Sequence, residues 1–262
     1  IERFRKVDAM IQARVIPCLL LHGNGLVKTK KFKEAVYIGD PVNAVRIFSD
    51  KEADEIVILD IDASREGREP NYELIAEMAG EAFMPVAYGG GIRSLEQIRR
   101  LIRSGVEKVV INTLATESTD LIRKAVEVFG SQAIVGGLDV RRKMLGGYSV
   151  VAKSGTVTTR LNLQAHLQAL VQAGVGELFI NDVDRDGTMA GYDLDLVRAV
   201  SKAPVSVVVC GGAGTMQHLS QAVHEGGASA VAAGSMFVFH GKHRAVLINY
   251  PKADELVKVF RE

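Results

Sequence analysis

The sequence predicts one (β/α)8 barrel. Three observations carry this: eight short β-branched runs, helical patterns between them, and a repeat at half the chain length. The strand candidates are residues 14–21, 55–61, 85–88, 108–111, 133–138, 177–182, 205–209 and 230–233. None alternates apolar with polar residues, which is how parallel strands covered on both faces read. Between them, 95–103 sets Leu95, Ile98, Leu101 and Ile102 on one helical face and Arg99, Arg100 and Arg103 outside. Segments 121–129 and 163–172 are patterned alike. Strand and helix in eightfold alternation close into a barrel. A doubly wound open sheet is the competing arrangement.

Residues 1–9 read as an N-terminal extension and 10–262 as the single barrel domain, with no internal linker. Of 262 residues, 47% are hydrophobic and 24% charged, and the net charge is +1. That balance supplies no strong field for nucleic acid or an acidic membrane surface. No apolar run reaches the roughly 20 residues a bilayer span needs. The two cysteines, Cys18 and Cys210, make neither a disulfide framework nor a zinc site, so a reducing, cytoplasmic setting is expected.

The two halves echo each other about 122 residues apart. The run from Pro85 through Gly89-Gly90-Gly91 to Ser94 returns as Val205 through Gly211-Gly212-Ala213-Gly214 to Thr215. Leu59-Asp-Ile-Asp62 returns as Asn181-Asp-Val-Asp184, and Ile111-Asn-Thr113 as Ala233-Gly-Ser235. Barrel chemistry sits after the C-terminal strand ends. There the glycine turns let an anion approach backbone, and each opens a helix whose first N–H groups are free donors. Two matched cradles predict a ligand with an anionic group at each end. Glycine also serves plain tight turns, so one loop alone signals little.

Asp139 ends the fifth strand in an apolar run, where burial raises a carboxyl toward the range useful for proton transfer. A loop-capping carboxylate is the bland alternative. Asp182, Asp184 and Asp186 cluster after the sixth strand, but no matching acids or histidines stand near them, so no metal is expected. The six histidines (His22, His166, His218, His224, His240, His243) pair with no nucleophile and read as surface or loop residues. Arg141-Arg-Lys143 reads as a solvated basic loop.

Several motifs resemble the cyclase subunit of imidazole glycerol phosphate synthase. They are Ile16-Pro-Cys-Leu, Leu59-Asp-Ile-Asp-Ala-Ser64, Gly89-Gly-Gly-Ile-Arg-Ser94, Phe129-Gly-Ser-Gln132, Asp184-Arg-Asp-Gly-Thr188 with Gly191-Tyr-Asp193, and Cys210-Gly-Gly-Ala-Gly214. The match runs from Arg14 to about Phe239. The resemblance implies the barrel fold, a glutaminase partner docked at the barrel bottom, and ammonia passing up the interior to a bisphosphorylated substrate. It implies no cofactor. By the same resemblance Asp139 is an acid/base residue and Lys28 the lysine of a mobile first loop. Phosphate contacts fall on Gly91, Asn112 and Thr113 on one side, and on Asp186, Gly187, Gly212, Gly234 and Ser235 on the other. Arg14, Glu55, Lys108 and Glu177 match a salt-bridged gate at the barrel bottom, where plain stability is the alternative role.

One departure is serious. Where the family carries an aspartate opposite the fifth-strand one, this chain has Leu20. Loss of one member of an acid/base pair costs roughly 100- to 10,000-fold in rate. The first loop also differs, reading His22-Gly-Asn-Gly25 where the family has a Lys-Asp-Gly-Arg type of run. Three functions are therefore expected to compete. One is the cyclase of histidine biosynthesis. Another is a diverged relative that sends ammonia to a surface sugar for amidination in lipopolysaccharide biosynthesis. The third is a non-catalytic conduit and scaffold.

Overall fold

The computed structural model describes residues 13–241 and 243–261. The expected extension at residues 1–9 lies outside them. In chain order the strands of the barrel are β1 (Arg14–His22), β4 (Ile56–Asp60), β5 (Val86–Gly89), β6 (Lys108–Ile111), β7 (Ile134–Arg142), β10 (Glu177–Asp182), β11 (Ser206–Cys210) and β12 (Ala230–Ala233). Each runs parallel to the next, β12 pairs back onto β1, and β7 pairs with β10. The sheet is closed, which excludes the open doubly wound alternative.

Helices lie between the strands, α1 (Pro41–Asp50), α2 (Ala63–Glu66), α3 (Tyr72–Gly80), α4 (Leu95–Arg103), α5 (Asp120–Phe129), α6 (Leu163–Gln172), α7 (Leu194–Val200) and α8 (Met216–His224), and two more follow the last strand, α9 (Ser235–Val238) and α10 (Ala253–Val259). Their starts are set by capping side chains. Asp40 precedes Pro41 and accepts from the Asn43 N–H, while Ser94, Asn162 and Thr215 accept from Gln97, Ala165 and His218. In α4, Ile98 and Leu101 are fully buried, as the periodicity predicts.

Two apolar clusters form. The larger fills the space between strands and helices; the smaller fills the barrel interior with Ile16, Val57, Val110, Val135, Phe179 and Val208 among others. These side chains surround the barrel axis with apolar surface.

Several expectations are corrected. The strand bearing Asp139 does not end there: β7 runs on to Arg142 and pairs antiparallel with β8 (Tyr148–Ala152), which pairs with β9 (Val157–Thr158). Arg141 and Arg142 therefore lie in a strand, and Arg142 pairs with buried Asp193 at 3.2 Å. A second hairpin, β2 (Gly25–Lys30) and β3 (Lys33–Gly39), extends β1. Its lysines and threonine read as loop in the sequence, because tertiary contact, not apolar pattern, defines it. His166 is not at the surface; it is buried on α6, and burial lowers its pKa.

Candidate functional site

At the bottom, Arg14, Lys108 and Glu177 are the first residues of β1, β6 and β10, and Glu55 immediately precedes β4. Arg14 pairs with both Glu55 and Glu177. Lys108 bridges the same two acids, at 2.7 Å to Glu55 and 3.1 Å to Glu177. Ser206 donates to Glu177 at 3.2 Å. The four residues thus form an alternating ring. Both acids are buried, and each has two cations, so neither is left as an uncompensated charge.

At the top, a cavity of about 280 Å³ opens over the strand ends. Asp139 lines it and is 8% exposed. Burial pushes its carboxyl up to about 7, while hydrogen bonding to Asn112 and Asn181 holds it down and Asp186 adds repulsion. The side-chain oxygens of Asn112 and Asn181 are buried without a partner. Leu20 lines the same cavity, amid Cys18, Val27 and Phe179. The sequence reading used Asn181 only as part of the repeat; its sign was its place one residue before the Asp-Val-Asp motif.

The half-barrel repeat has a physical basis. Asp60 accepts from the N–H groups of Asp62 and Ala63 at 3.0 and 2.9 Å. Asp182 accepts likewise from Asp184 and Arg185, at 3.0 and 3.3 Å, and burial raises its pKa to about 6. A Cβ on Gly90 would stand 2.7 Å from the Asp60 carbonyl oxygen, and one on Gly211 2.6 Å from that of Asp182. Both glycines have positive φ. Packing therefore demands glycine at these two turns, whatever ligand they meet.

In the first cradle, three of the N–H groups are already bonded within the protein. The Gly91 N–H donates to Ser64 Oγ at 3.2 Å, and the Arg93 N–H to Gln97 at 2.6 Å. Ser94 caps the Gln97 N–H. Thr113 Oγ1 accepts from the Lys153 N–H at 3.2 Å. The turn between β8 and β9 thus lies across this end of the mouth, and Ser154 donates to the Ile61 carbonyl at 2.7 Å. Gly91, Asn112, Thr113 and Asp139 all line the one cavity, together with Ser64, Arg65, Ser154 and Thr156, which sequence reading missed.

The second cradle is a small adjoining pocket of about 20 Å³, lined by Lys28, Asp186, Gly187, Gly212, Gly234 and Ser235 among others, and it shares Leu20 and Asn181 with the larger cavity. Lys28 is buried on β2, and its Nζ donates to the Cys18 carbonyl. It is thus gathered with the second cradle rather than with the cavity of Asp139. Asp186 ties down the hairpin: its carboxylate accepts from Thr29 at 2.6 Å and from the Phe32 N–H at 3.1 Å. Burial raises its pKa, opposed by those bonds and by Lys28. A Cβ on Gly187 would stand 2.1 Å from the Thr29 carbonyl, so that glycine seats the hairpin. At the rim, His22 Nδ1 lies 2.7 Å from Asp62.

Among the described residues, no three His, Cys, Asp or Glu gather as a metal site, and no helix is long and apolar enough to cross a membrane. Fold and site together define a parallel (β/α)8 barrel with paired, glycine-turned pockets at the strand C-termini and an ionic ring at the base. The family model described as histidine biosynthesis protein matches residues 14–244. The chain belongs to that family, alongside the HisF subunits of imidazole glycerol phosphate synthase. A relative in Pseudomonas aeruginosa, provisionally named imidazole glycerol phosphate synthase subunit hisF2, is 54% identical over 94% of this chain and 99% of its own. Provisionally named counterparts in Leptospira borgpetersenii (HisF) and Vibrio vulnificus (hisF3) are each 45% identical. They cover 96% and 97% of this chain, and 100% and 98% of their own.

Proposed function

We propose that this chain is the ammonia-using barrel subunit of a glutaminase complex of the imidazole glycerol phosphate synthase type, and that ring closure is not its reaction. The observation that carries this is Leu20 lining the cavity that holds Asp139. The cyclase reaction of the family uses two carboxyls, and a leucine moves no proton. One carboxyl tuned to about 7 suffices to take a proton from an attacking amine. The unpartnered oxygens of Asn112 and Asn181 suit the N–H groups of ammonia beside it.

The ring of Arg14, Glu55, Lys108 and Glu177 acts as the gate through which ammonia enters. The partner docks on the bottom face, where Phe83, between α3 and β5, is 93% exposed. The acceptor is a phosphorylated sugar, and amidination of a surface sugar for lipopolysaccharide biosynthesis fits this chemistry. Lys28 and the contacts at Asp186, Gly187, Gly212, Gly234 and Ser235 serve the acceptor's second anionic end. Survival of this second pocket favours a competing reading, the cyclase of histidine biosynthesis with its bisphosphate substrate.

One assay decides between them. The bisphosphate substrate is supplied to the chain with ammonium salt, and then to its glutaminase complex with glutamine. The expected result is no imidazole product, with a rate appearing in Leu20→Asp. Turnover by the unmodified chain at a rate typical of enzymes, about 1 per second or faster, would overturn the proposal in favour of the cyclase.

A further inference from the structure

The hairpins at the barrel mouth carry surface chemistry that neither pocket uses. Most of the large apolar side chains exposed among the described residues belong to them: Val36 and Tyr37 on β3, Met144 and Leu145 in the turn from β7 to β8, and Val157 on β9. Met144 and Leu145 are fully exposed. They are also held out firmly. The Lys143 N–H donates to the Gly147 carbonyl across the turn at 2.9 Å, and the flanking residues Arg142 and Tyr148 both bond to buried Asp193, at 3.2 and 3.1 Å. Two apolar side chains at a braced hairpin tip cover no core, so folding does not account for them.

Cations stand on the same face. Lys30, Lys31 and Lys33 are exposed around the turn from β2 to β3, and Lys143 is exposed directly before Met144. Among the described residues none of these four lies in an ion pair, whereas Arg141 and Arg142 are matched by Asp184, Asp193 and Asp195. The two hairpins meet at the mouth: a Cβ on Gly155, between β8 and β9, would stand 3.0 Å from the Phe32 ring. Charges nearly cancel over the whole chain, with a net of +1, but the unpaired lysines gather on this one rim.

A stable protein interface takes about 800 Å² of matched surface from each partner. Here the apolar groups are narrow tips set among lysines, not a broad face. Apolar tips that enter the headgroup boundary, with lysines beside them on anionic headgroups, are the means by which a chain lies on a bilayer without crossing it. We propose that the mouth face docks on an anionic lipid bilayer, with Met144 and Leu145 inserted and Lys30, Lys31, Lys33 and Lys143 on the headgroups. The bottom face and its ionic ring point away from this contact, and neither Asp139 nor ammonia enters the argument.

The test is co-sedimentation of the full chain with vesicles of phosphatidylcholine alone and of phosphatidylcholine mixed with phosphatidylglycerol. Binding is expected to the mixed vesicles only, and to weaken as salt rises. Replacing Lys30, Lys31 and Lys33 together by Gln is expected to lower the partition coefficient by about 100-fold. Met144→Ser with Leu145→Ser is expected to lower it by about tenfold or more. Lys124→Gln with Val128→Ser removes a charge and an apolar side chain from the exposed side of α5, and is expected to change nothing. All these positions are exposed, so an unchanged melting temperature should accompany each variant. No binding to the mixed vesicles overturns the proposal, and so does a loss matched by the α5 variant. A loss confined to the lysine variant reduces the contact to surface adsorption and overturns insertion. Absence of vesicle binding, with Lys30, Lys31 and Lys33 protected from acylation in the glutaminase complex, assigns the face to a protein instead.

Discussion

Lys28 and Gly234 meet across the second pocket: a Cβ on Gly234 would lie 2.2 Å from the Lys28 Nζ. Glycine at this strand end thus makes room for a buried ammonium carried by the rim hairpin. Gly234→Ala is expected to push Lys28 out and to destabilise the chain by about 1–3 kcal/mol. Adding Lys28→Ala should return part of that loss, because the clash disappears with the side chain. A double-mutant cycle by urea denaturation measures the coupling; additive losses would mean the two residues do not share the space.

The pH dependence of Asp139 has a definite sign. Its folded pKa, about 7, exceeds the ordinary 3.8. The folded chain therefore holds a proton that the unfolded chain has released, and stability falls as pH rises from about 4 to about 7. The slope reaches about 1.4 kcal/mol per pH unit. Asp139→Asn should flatten this slope and make the chain more stable at pH 8. Denaturation midpoints across that range check it, and an unchanged slope would place the charge elsewhere.

The ionic ring should respond differently to single and joint replacement. Lys108→Met leaves Glu55 and Glu177 to share Arg14 and is expected to cost about 3 kcal/mol, because each buried acid loses one of its two cations. Replacing all four members by apolar residues should be close to neutral by the same principle. In the glutaminase complex, the single variant should also lower product formed from glutamine relative to product formed from added ammonium. A parallel fall in both would make the ring structural only.

Leu20→Asp places a second carboxyl beside Asp139 in an apolar setting. A cost of about 2–4 kcal/mol is expected at pH 8, with less at pH 5, where the new group is protonated. The two acids should then titrate as a coupled pair rather than with the single value of Asp139. NMR titration of the carboxyl carbons reads this directly; two independent ordinary values would show that the side chains do not meet.

Much of the barrel was legible. The eight strands fall within one or two residues of the expected runs at most ends, because parallel strands covered on both faces need unbroken apolar sequence. The echo of Asp60 in Asp182 also read correctly, since each carboxylate caps its own turn and so depends on local spacing. The hairpin from Gly25 to Gly39 was not legible: Thr29, Lys31 and Phe32 are held by Asp186, far along the chain. His166 was misread because burial depends on which side of a helix the rest of the chain covers.

By itself, the sequence determined the barrel and the paired turns, and through its resemblance to a family it pointed to the four ring residues and to the leucine where that family has a carboxylate. Each of these is a matter of local pattern or residue identity. The tertiary structure decided which donors remain free. It consumed the Gly91 and Arg93 N–H groups, drew Lys28 into the second pocket and left Arg65 facing the open cavity, because hydrogen-bond partners are assigned only once distant segments meet.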